Sequence, residues 1–140
     1  GIDDYEFMNS TLASINIRHI LFPFTDEISL LYEKADILIG RAGSGVICES
    51  LAFGLPGIYI PYPYAGRHQR ENARWVASRG AGIMIQQDSQ AVENINAEVL
   101  GFLHDRTRLE KMADAARRYR ILHGCETLAH EMAQIVRKFG

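Results

Sequence analysis

The sequence predicts an α/β domain: a parallel sheet with right-handed crossovers and helices on both faces. Short apolar runs alternate with amphipathic helical stretches from about residue 16 to residue 90, the order expected of repeated strand–helix–strand units. The run at residues 36–40, DILIG, is continuous rather than alternating, as in a strand covered on both faces. Glycine and proline separate the runs. With 140 residues, 47% of them hydrophobic and 23% charged, the chain fits one domain with an ordinary core and excludes wholesale disorder.

Residues 1–16 are weakly patterned and give no good helix or strand signal. Residues 17–22 read as a strand. Residues 26–35 read as a helix with Ile28, Leu31 and Tyr32 on one face. After the strand at 36–40 comes a helix at 44–53, in which Cys48 reads as a small buried residue. The break Gly54-Leu55-Pro56-Gly57 leads into a strand at 58–60 and a Pro- and Tyr-rich loop. Residues 68–78 are helical, with Gln69, Asn72, Ala73 and Val76 at i, i+3, i+4, i+7, and Trp75 and Val76 are expected in the core. Gly80-Ala81-Gly82 turns the chain into a fourth strand at 83–86. A helical tail at 91–140 completes the domain. It carries three apolar stripes: Val92, Ile95, Val99 and Leu103; Leu109, Met112, Ala113 and Ala116; and Leu128, Met132, Ile135 and Val136. Gly124 separates its last two helices.

Composition narrows the function classes. Fifteen basic and seventeen acidic residues give a formal net charge of −2, which argues against a strongly basic nucleic-acid binder. No apolar run approaches the roughly 18 residues of a membrane span. Cys48 and Cys125 lie far apart without a CxxC pattern, so neither a disulfide framework nor a zinc site is expected, and a reducing cytoplasmic setting is the simplest reading. His19, His104, His123 and His130 share no short metal-ligand spacing and read as structural or surface residues, so no metal and no cofactor is expected. The arginines Arg106, Arg108, Arg117, Arg118 and Arg120 read as a solvated helix face diluted by nearby acids.

In a parallel sheet ligands bind beyond the carboxyl ends of the strands. The loops at 22–26, 40–45, 61–67 and 86–89 are therefore the ones to inspect. The most informative is DILIGRAGSGVICE at 36–49. Gly40, Gly43 and Gly45 let a backbone approach a ligand closely, and the amides of a helix starting near Ser44 suit a phosphate or diphosphate. Ser44 either caps that helix or donates to a phosphate oxygen. Glu49, about one and a half turns along, makes little sense as a phosphate ligand. It suits two vicinal ribose hydroxyls, the role of an acid in dinucleotide folds. Taken alone, the glycine-rich turn reads equally well as a plain tight turn. Arg41 fits either a ligand role or a structural pairing with an acid. In the second segment, GLPGIYIPYPYAGRHQRENA, the carboxamides of Gln69 and Asn72 share a helix face and suit sugar hydroxyls. His68 opens that helix, and Arg67 and Arg70 either add positive charge near a diphosphate or lie on a solvated face.

The run ADILIGRAGSGVICESLAFGLPGIYIPYPYAGRHQRENA resembles the donor-binding half of the MurG-like glycosyltransferases. The similar elements are the turn Arg41-Ala42-Gly43, the helix glutamate Glu49, the break with Gly54 and Pro56, the strand ending at Pro61, and the helix start His68, Gln69, Asn72 and Ala73. The resemblance covers roughly residues 16–140. It implies a Rossmann-like parallel sheet with flanking helices, the C-terminal half of a GT-B enzyme, with the N-terminal acceptor domain absent from these 140 residues. It implies a UDP-GlcNAc donor and an inverting transfer that converts lipid I to lipid II in peptidoglycan synthesis. The lipid-linked acceptor and the general base would belong to the N-terminal domain, the isolated domain would not turn over, and the whole protein would sit on the cytoplasmic face of the bacterial inner membrane.

Carried over residue by residue, Glu49 would bind the ribose and Gly43, Ser44, Gly45 and Val46 the diphosphate. His68 and Gln69 would contact the donor sugar, and Phe24 and Thr25 would flank the uracil through backbone groups. Three departures stand out: Val46 where the family often has Thr, Tyr64 where it often has His, and Gly66-Arg67 where an acidic pair is common. Two other readings stay open. One is the donor domain or subunit of another UDP-sugar transferase, similar to the enzyme that makes dolichol-linked chitobiose. The other is a nonenzymatic module on the same fold.

Overall fold

The computed structural model describes residues 2–14, 18–64, 67–120, 130–134 and 137. Two compact units divide the chain, residues 1–31 and 32–140. The first holds α1 (Ile2–Ser14), where no regular element was expected. The helix forms although its apolar residues make no single stripe and Phe7 and Met8 remain exposed. Ser10 and Thr11 donate their hydroxyls to the carbonyl of Phe7, and Ser14 donates to that of Thr11. These bonds go back along the helix to carbonyls about one turn earlier. The expected strand at 17–22 is not formed in its described part, residues 18–22. Helix α2 (Ile28–Lys34) follows the Thr25 hydroxyl, which accepts from the amide of Glu27 at 3.1 Å. Of its expected apolar face only Tyr32 is buried.

The second unit holds the sheet. Strands β1 (Leu38–Gly40), β2 (Gly57–Tyr59) and β3 (Gly82–Met84) are parallel, in the order β1-β2-β3. Leu38 pairs with Gly57 and Gly57 with Gly82, so alternate positions across the sheet share a face. Helices α3 (Ser44–Ala52) and α4 (His68–Ala77) are the two crossovers. Both cover one face, where Ile47, Leu51, Tyr59, Ala73 and Val76 pack together. The other face, carrying Ile58 and Ile85, is covered by α5 (Ala91–His104) and α6 (Arg106–Arg118) through Ala91, Phe102, Leu109 and Met112. The far end of α6 returns to the first face with Ala115 and Ala116, joining the two halves of the core.

Both crossover helices stop in the same way. Gly54, with φ of 66°, follows α3. Its amide bonds to the carbonyl of Leu51 and that of Leu55 to Ser50, the paired closure that glycine permits. Gly80, with φ of 68°, does the same after α4 through Ala77 and Val76.

Several tail and core expectations are corrected. The buried face of α5 runs through Ala91, Ile95, Val99 and Phe102, whereas Val92 and Leu103 point outward. A step of four, four and three residues fits the 3.6-residue turn at least as well, and Phe102 buries more surface than Leu103 would. In α6 Ala115 rather than Ala113 completes the buried set. Cys48 is exposed. Trp75 is 39% exposed and stacks on the Arg79 guanidinium at 3.9 Å instead of entering the core. Of the third stripe, Met132 is exposed on a helical stretch at 130–134, and Leu128, Ile135, Val136 and Gly124 lie outside the described residues. Among the described residues no helix is long and apolar enough to cross a membrane.

Tyr59 is the centre of the packing on the α3/α4 face. It is fully buried, and its hydroxyl sits 2.8 Å from the equally buried Ser50 of α3. Its ring occupies the space that a side chain at Gly57 or Gly82 would need. A Cβ at Gly57 would lie 2.6 Å from the ring, and one at Gly82 would lie 2.7 Å from both the ring and the Gly57 carbonyl oxygen. Gly82→Ala is therefore expected to cost about 1–3 kcal/mol of stability by overpacking, and Tyr59→Phe about 1 kcal/mol through the lost hydrogen bond. Urea unfolding measures both. Combining Tyr59→Leu with either alanine should relieve Gly57→Ala more fully than Gly82→Ala, because only the latter also meets backbone.

Candidate functional site

All three strands point their carboxyl ends at the same edge, so the loops after Gly40, Tyr59 and Met84 converge there. The turn after β1 is held from both neighbours. Ile60 donates its amide to the Gly40 carbonyl at 2.8 Å, and Asn72 of α4 donates its carboxamide N–H to the Ala42 carbonyl at 3.1 Å. Ala42 itself is fully buried. Gly43 caps α3 with extended backbone, φ −65° and ψ 148°, and no side chain bonds to the helix start. The first intrahelical bond runs from Ile47 to the Gly43 carbonyl. The amides of Ser44, Gly45 and Val46 thus have no intrahelical acceptor and face the strand-end edge. Ser44 is the first helical residue rather than the cap. Among the described residues, no heavy atom beyond its own neighbours lies within 4 Å of where a Gly43 side chain would begin.

Glu49 lies one and a half turns farther along α3 and is exposed. Its carboxylate reaches back toward the helix start, because a Cβ on Gly45 would sit 3.8 Å from Oε1. The Tyr32 hydroxyl donates to Oε2 at 3.1 Å. Burial, then the hydrogen bond to Glu49 and its negative charge, raise the Tyr32 hydroxyl above its ordinary value of 10.0. It therefore stays protonated and keeps donating across the neutral range.

Arg41 spans the edge. Its Nη1 donates to the Ile60 carbonyl at 3.3 Å and to Gln87 Oε1 at 2.5 Å, and its guanidinium lies 5.2 Å above the Tyr62 ring. It pairs with a carbonyl, a carboxamide and an aromatic face, and among the described residues with no acid. Gln69 is turned toward the loop, its Oε1 accepting the Tyr62 amide at 2.9 Å. The larger cavity of about 550 Å³, between Tyr32, Leu55 and Arg106, lies at the opposite, amino ends of the strands and takes no part in this edge.

The profile of the glycosyltransferase family 28 C-terminal domain matches residues 1–132. The chain belongs to that family. Among curated members, the UDP-N-acetylglucosamine–N-acetylmuramyl-(pentapeptide) pyrophosphoryl-undecaprenol N-acetylglucosamine transferase of Nitratidesulfovibrio vulgaris is 39% identical over 95 residues, 67% of this chain and 26% of the relative. The Coxiella burnetii enzyme of the same name is 35% identical over 119 residues, 84% of this chain and 33% of the relative. The chain thus spans about a quarter to a third of these relatives. The crystal structure of Acinetobacter baumannii MurG superposes with a TM-score of 0.84 and 26% identity, covering 96% of this chain and 41% of that one. The α/β fold is accordingly that of a GT-B C-terminal domain.

Against this family frame, the expected site residues fall into three groups. Arg41, Gly43, Ser44, Gly45, Val46 and Glu49 lie on the β1–α3 turn and the helix it opens, and Asn72 of α4 bonds to that turn. His68 and Gln69 begin α4 on the same strand-end edge; His68 is exposed, with no partner among the described residues. Phe24, 77% exposed, and Thr25 belong to the other compact unit. The carboxamides of Gln69 and Asn72 are each half used in fixing backbone, which leaves Nε2 and Oδ1 for a ligand. Three contributors were not read from the sequence. Tyr32 lies 17 residues from Glu49, beyond any local pattern. Tyr62 and Gln87 do lie in the loops that the parallel-sheet rule singles out.

Because Tyr32 is held above 10.0 in the folded chain, its contribution to stability is complete below about that pH and is lost as pH rises through the raised value. Burial likewise raises Tyr59, outweighing its bond to Ser50. Unfolding free energy is therefore expected to fall as pH rises above about 10, and less steeply in Tyr32→Phe. Identical slopes in urea titrations of the two proteins would contradict this coupling.

Proposed function

We propose that this chain is the donor-binding part of an inverting N-acetylglucosaminyltransferase that takes UDP-GlcNAc and serves a lipid-linked acceptor. The supporting observation is the uncapped start of α3 with Glu49 on the same helix. The three free amides of Ser44, Gly45 and Val46 suit the oxyanions of a diphosphate, and the carboxylate suits a pair of ribose hydroxyls. Tyr32 holds one carboxylate oxygen, so the acid is oriented before the nucleotide arrives.

In this reading the acceptor hydroxyl attacks the anomeric carbon as the bond to the UDP phosphate oxygen breaks. Charge grows on the departing diphosphate, and the helix amides, fixed beforehand, stabilise it. Ser44, one residue into the helix, offers a hydroxyl where Val46 has none. His68 and the free Nε2 of Gln69 are assigned to the sugar, and the backbone near Phe24 and Thr25 to the uracil. Arg41 and Asn72 hold the turn in shape. The base that takes the acceptor proton is assigned to the part of such a protein beyond these 140 residues, as are the acceptor site and attachment to the cytoplasmic face of the inner membrane. The names of the relatives support the sugar and the pyrophosphoryl-undecaprenol acceptor.

Glu49→Ala is expected to weaken UDP binding by about 1.5–3 kcal/mol, roughly tenfold to a hundredfold. Calorimetric titration with UDP and with its 2′-deoxy analogue checks the assignment. The parent should discriminate between them and the variant should not. Equal discrimination in both would remove Glu49 from the ribose.

A further inference from the structure

A groove opens between α3 and α4 on the side away from the sheet. On α3, Ser44, Ile47, Cys48 and Leu51 follow at i, i+3, i+4 and i+7 and so share one face. On α4, Asn72 and Trp75 stand in line with His68 at i, i+4 and i+7. The α3 stripe, Asn72 and Trp75, with Tyr119 beside Trp75, line a volume of about 280 Å³. One end of the groove belongs to the site already described. Ser44 is the first residue of α3, and Asn72 bonds to the Ala42 carbonyl of the turn before it. Polarity falls along the groove. Ser44 and Asn72 form the polar end, and the buried Ile47 and Leu51 floor the rest. Cys48 and Trp75, residue types that are usually buried, are exposed there. Trp75 is braced before any ligand arrives. The Arg79 guanidinium lies 3.9 Å from its ring, and the Tyr119 ring meets it edge-on with centroids 5.6 Å apart. The volume lies just below the roughly 300–1,000 Å³ of ligand pockets, so it suits one substituent of a ligand rather than a whole nucleotide. An apolar recess with a free carboxamide oxygen at its polar end matches an N-acyl group. Asn72 Oδ1 is open to accept the amide N–H, and the recess takes the acyl methyl.

We infer that this groove takes the acetamido group of the donor sugar, and that Trp75 and Cys48 set the preference for an N-acetylated sugar over its hydroxyl counterpart. The inference rests on the donor-domain reading above, which puts the diphosphate on the α3 amides. The sugar is bonded directly to that diphosphate, so it lies at the polar end of the groove. His68 and Gln69 keep the ring hydroxyls in this division. A hydroxyl in place of the acetamide still reaches Asn72, but it leaves the recess beside Trp75 and Cys48 unfilled.

Calorimetric titration with UDP, UDP-GlcNAc and UDP-glucose tests this in the parent chain, Trp75→Ala and Cys48→Phe. The first variant removes a wall of the recess and the second fills it; circular dichroism checks the fold of each. The parent should prefer UDP-GlcNAc to UDP-glucose by about fivefold to twentyfold, the order expected for one buried methyl group and a hydrogen bond. In both variants that preference should fall to about twofold or less, with UDP affinity held within about twofold of the parent's. A second readout leaves the groove unaltered. In Cys125→Ser, saturating UDP-GlcNAc should slow alkylation of Cys48 by N-ethylmaleimide, whereas saturating UDP or UDP-glucose should leave the rate unchanged. A preference that is absent from the parent or survives both variants, or equal protection of Cys48 by UDP alone, overturns the groove assignment and leaves the donor reading standing. Absence of UDP binding by the folded parent overturns the donor reading and the groove assignment with it.

Discussion

Tyr59 lying across two paired glycines is the constraint on which the architecture rests. Gly57 and Gly82 face each other in adjacent parallel strands, and Tyr59 stands two residues beyond Gly57 on the same face. Side chains at either glycine would fill the space its ring uses. With both absent the ring lies close to the sheet, and α3 packs over it through Ile47 and Leu51. The ring carries a hydroxyl that must find a partner once buried, and Ser50 supplies it while also donating to the Ile47 carbonyl. One aromatic side chain therefore helps set the height of α3 above the sheet and its rotation. Rotation matters most, because it decides where Glu49, the residue before Ser50, projects.

The polar edge depends on that core and adds its own supports. A loop with three small residues would be mobile if left to itself. Here its carbonyls at Gly40 and Ala42 accept bonds from the β2 and α4 sides respectively. Asn72 and Gln69 each spend one half of a carboxamide on backbone and retain the other. Such groups are well placed for recognition because their orientation is settled before a ligand binds. Glu49 follows the same logic through Tyr32, a donor kept protonated by burial and by the acid it serves.

Much of this was legible in the sequence, and the losses have physical causes. The continuous run at 36–40, the glycine-proline break and the i, i+3, i+4, i+7 pattern of α4 placed the three strands and both crossovers within two residues. The turn residues 40–45 and Glu49 were found because strand, glycine turn and helix follow one another without interruption. Local pattern failed where tertiary contacts decide. Helix α1 has no apolar stripe to read, and in α5 two adjacent stripes, one through Phe102 and one through Leu103, fit the helical period equally well. Trp75 reads as core by size alone, yet it finds Arg79 and Tyr119 at the surface. The link from Tyr32 to Glu49 joins two helices with a strand between them, so no spacing rule reaches it.

Arg41 ties the strand-end edge together. A lysine would present a single point charge there, whereas the guanidinium has a planar fork and a flat face. The fork serves the Ile60 carbonyl beyond β2 and the Gln87 carboxamide beyond β3, and the flat face covers Tyr62. The residue thus ties together the ends of all three strands. The charge is satisfied by neutral acceptors, which fix the geometry and leave the field positive at this edge.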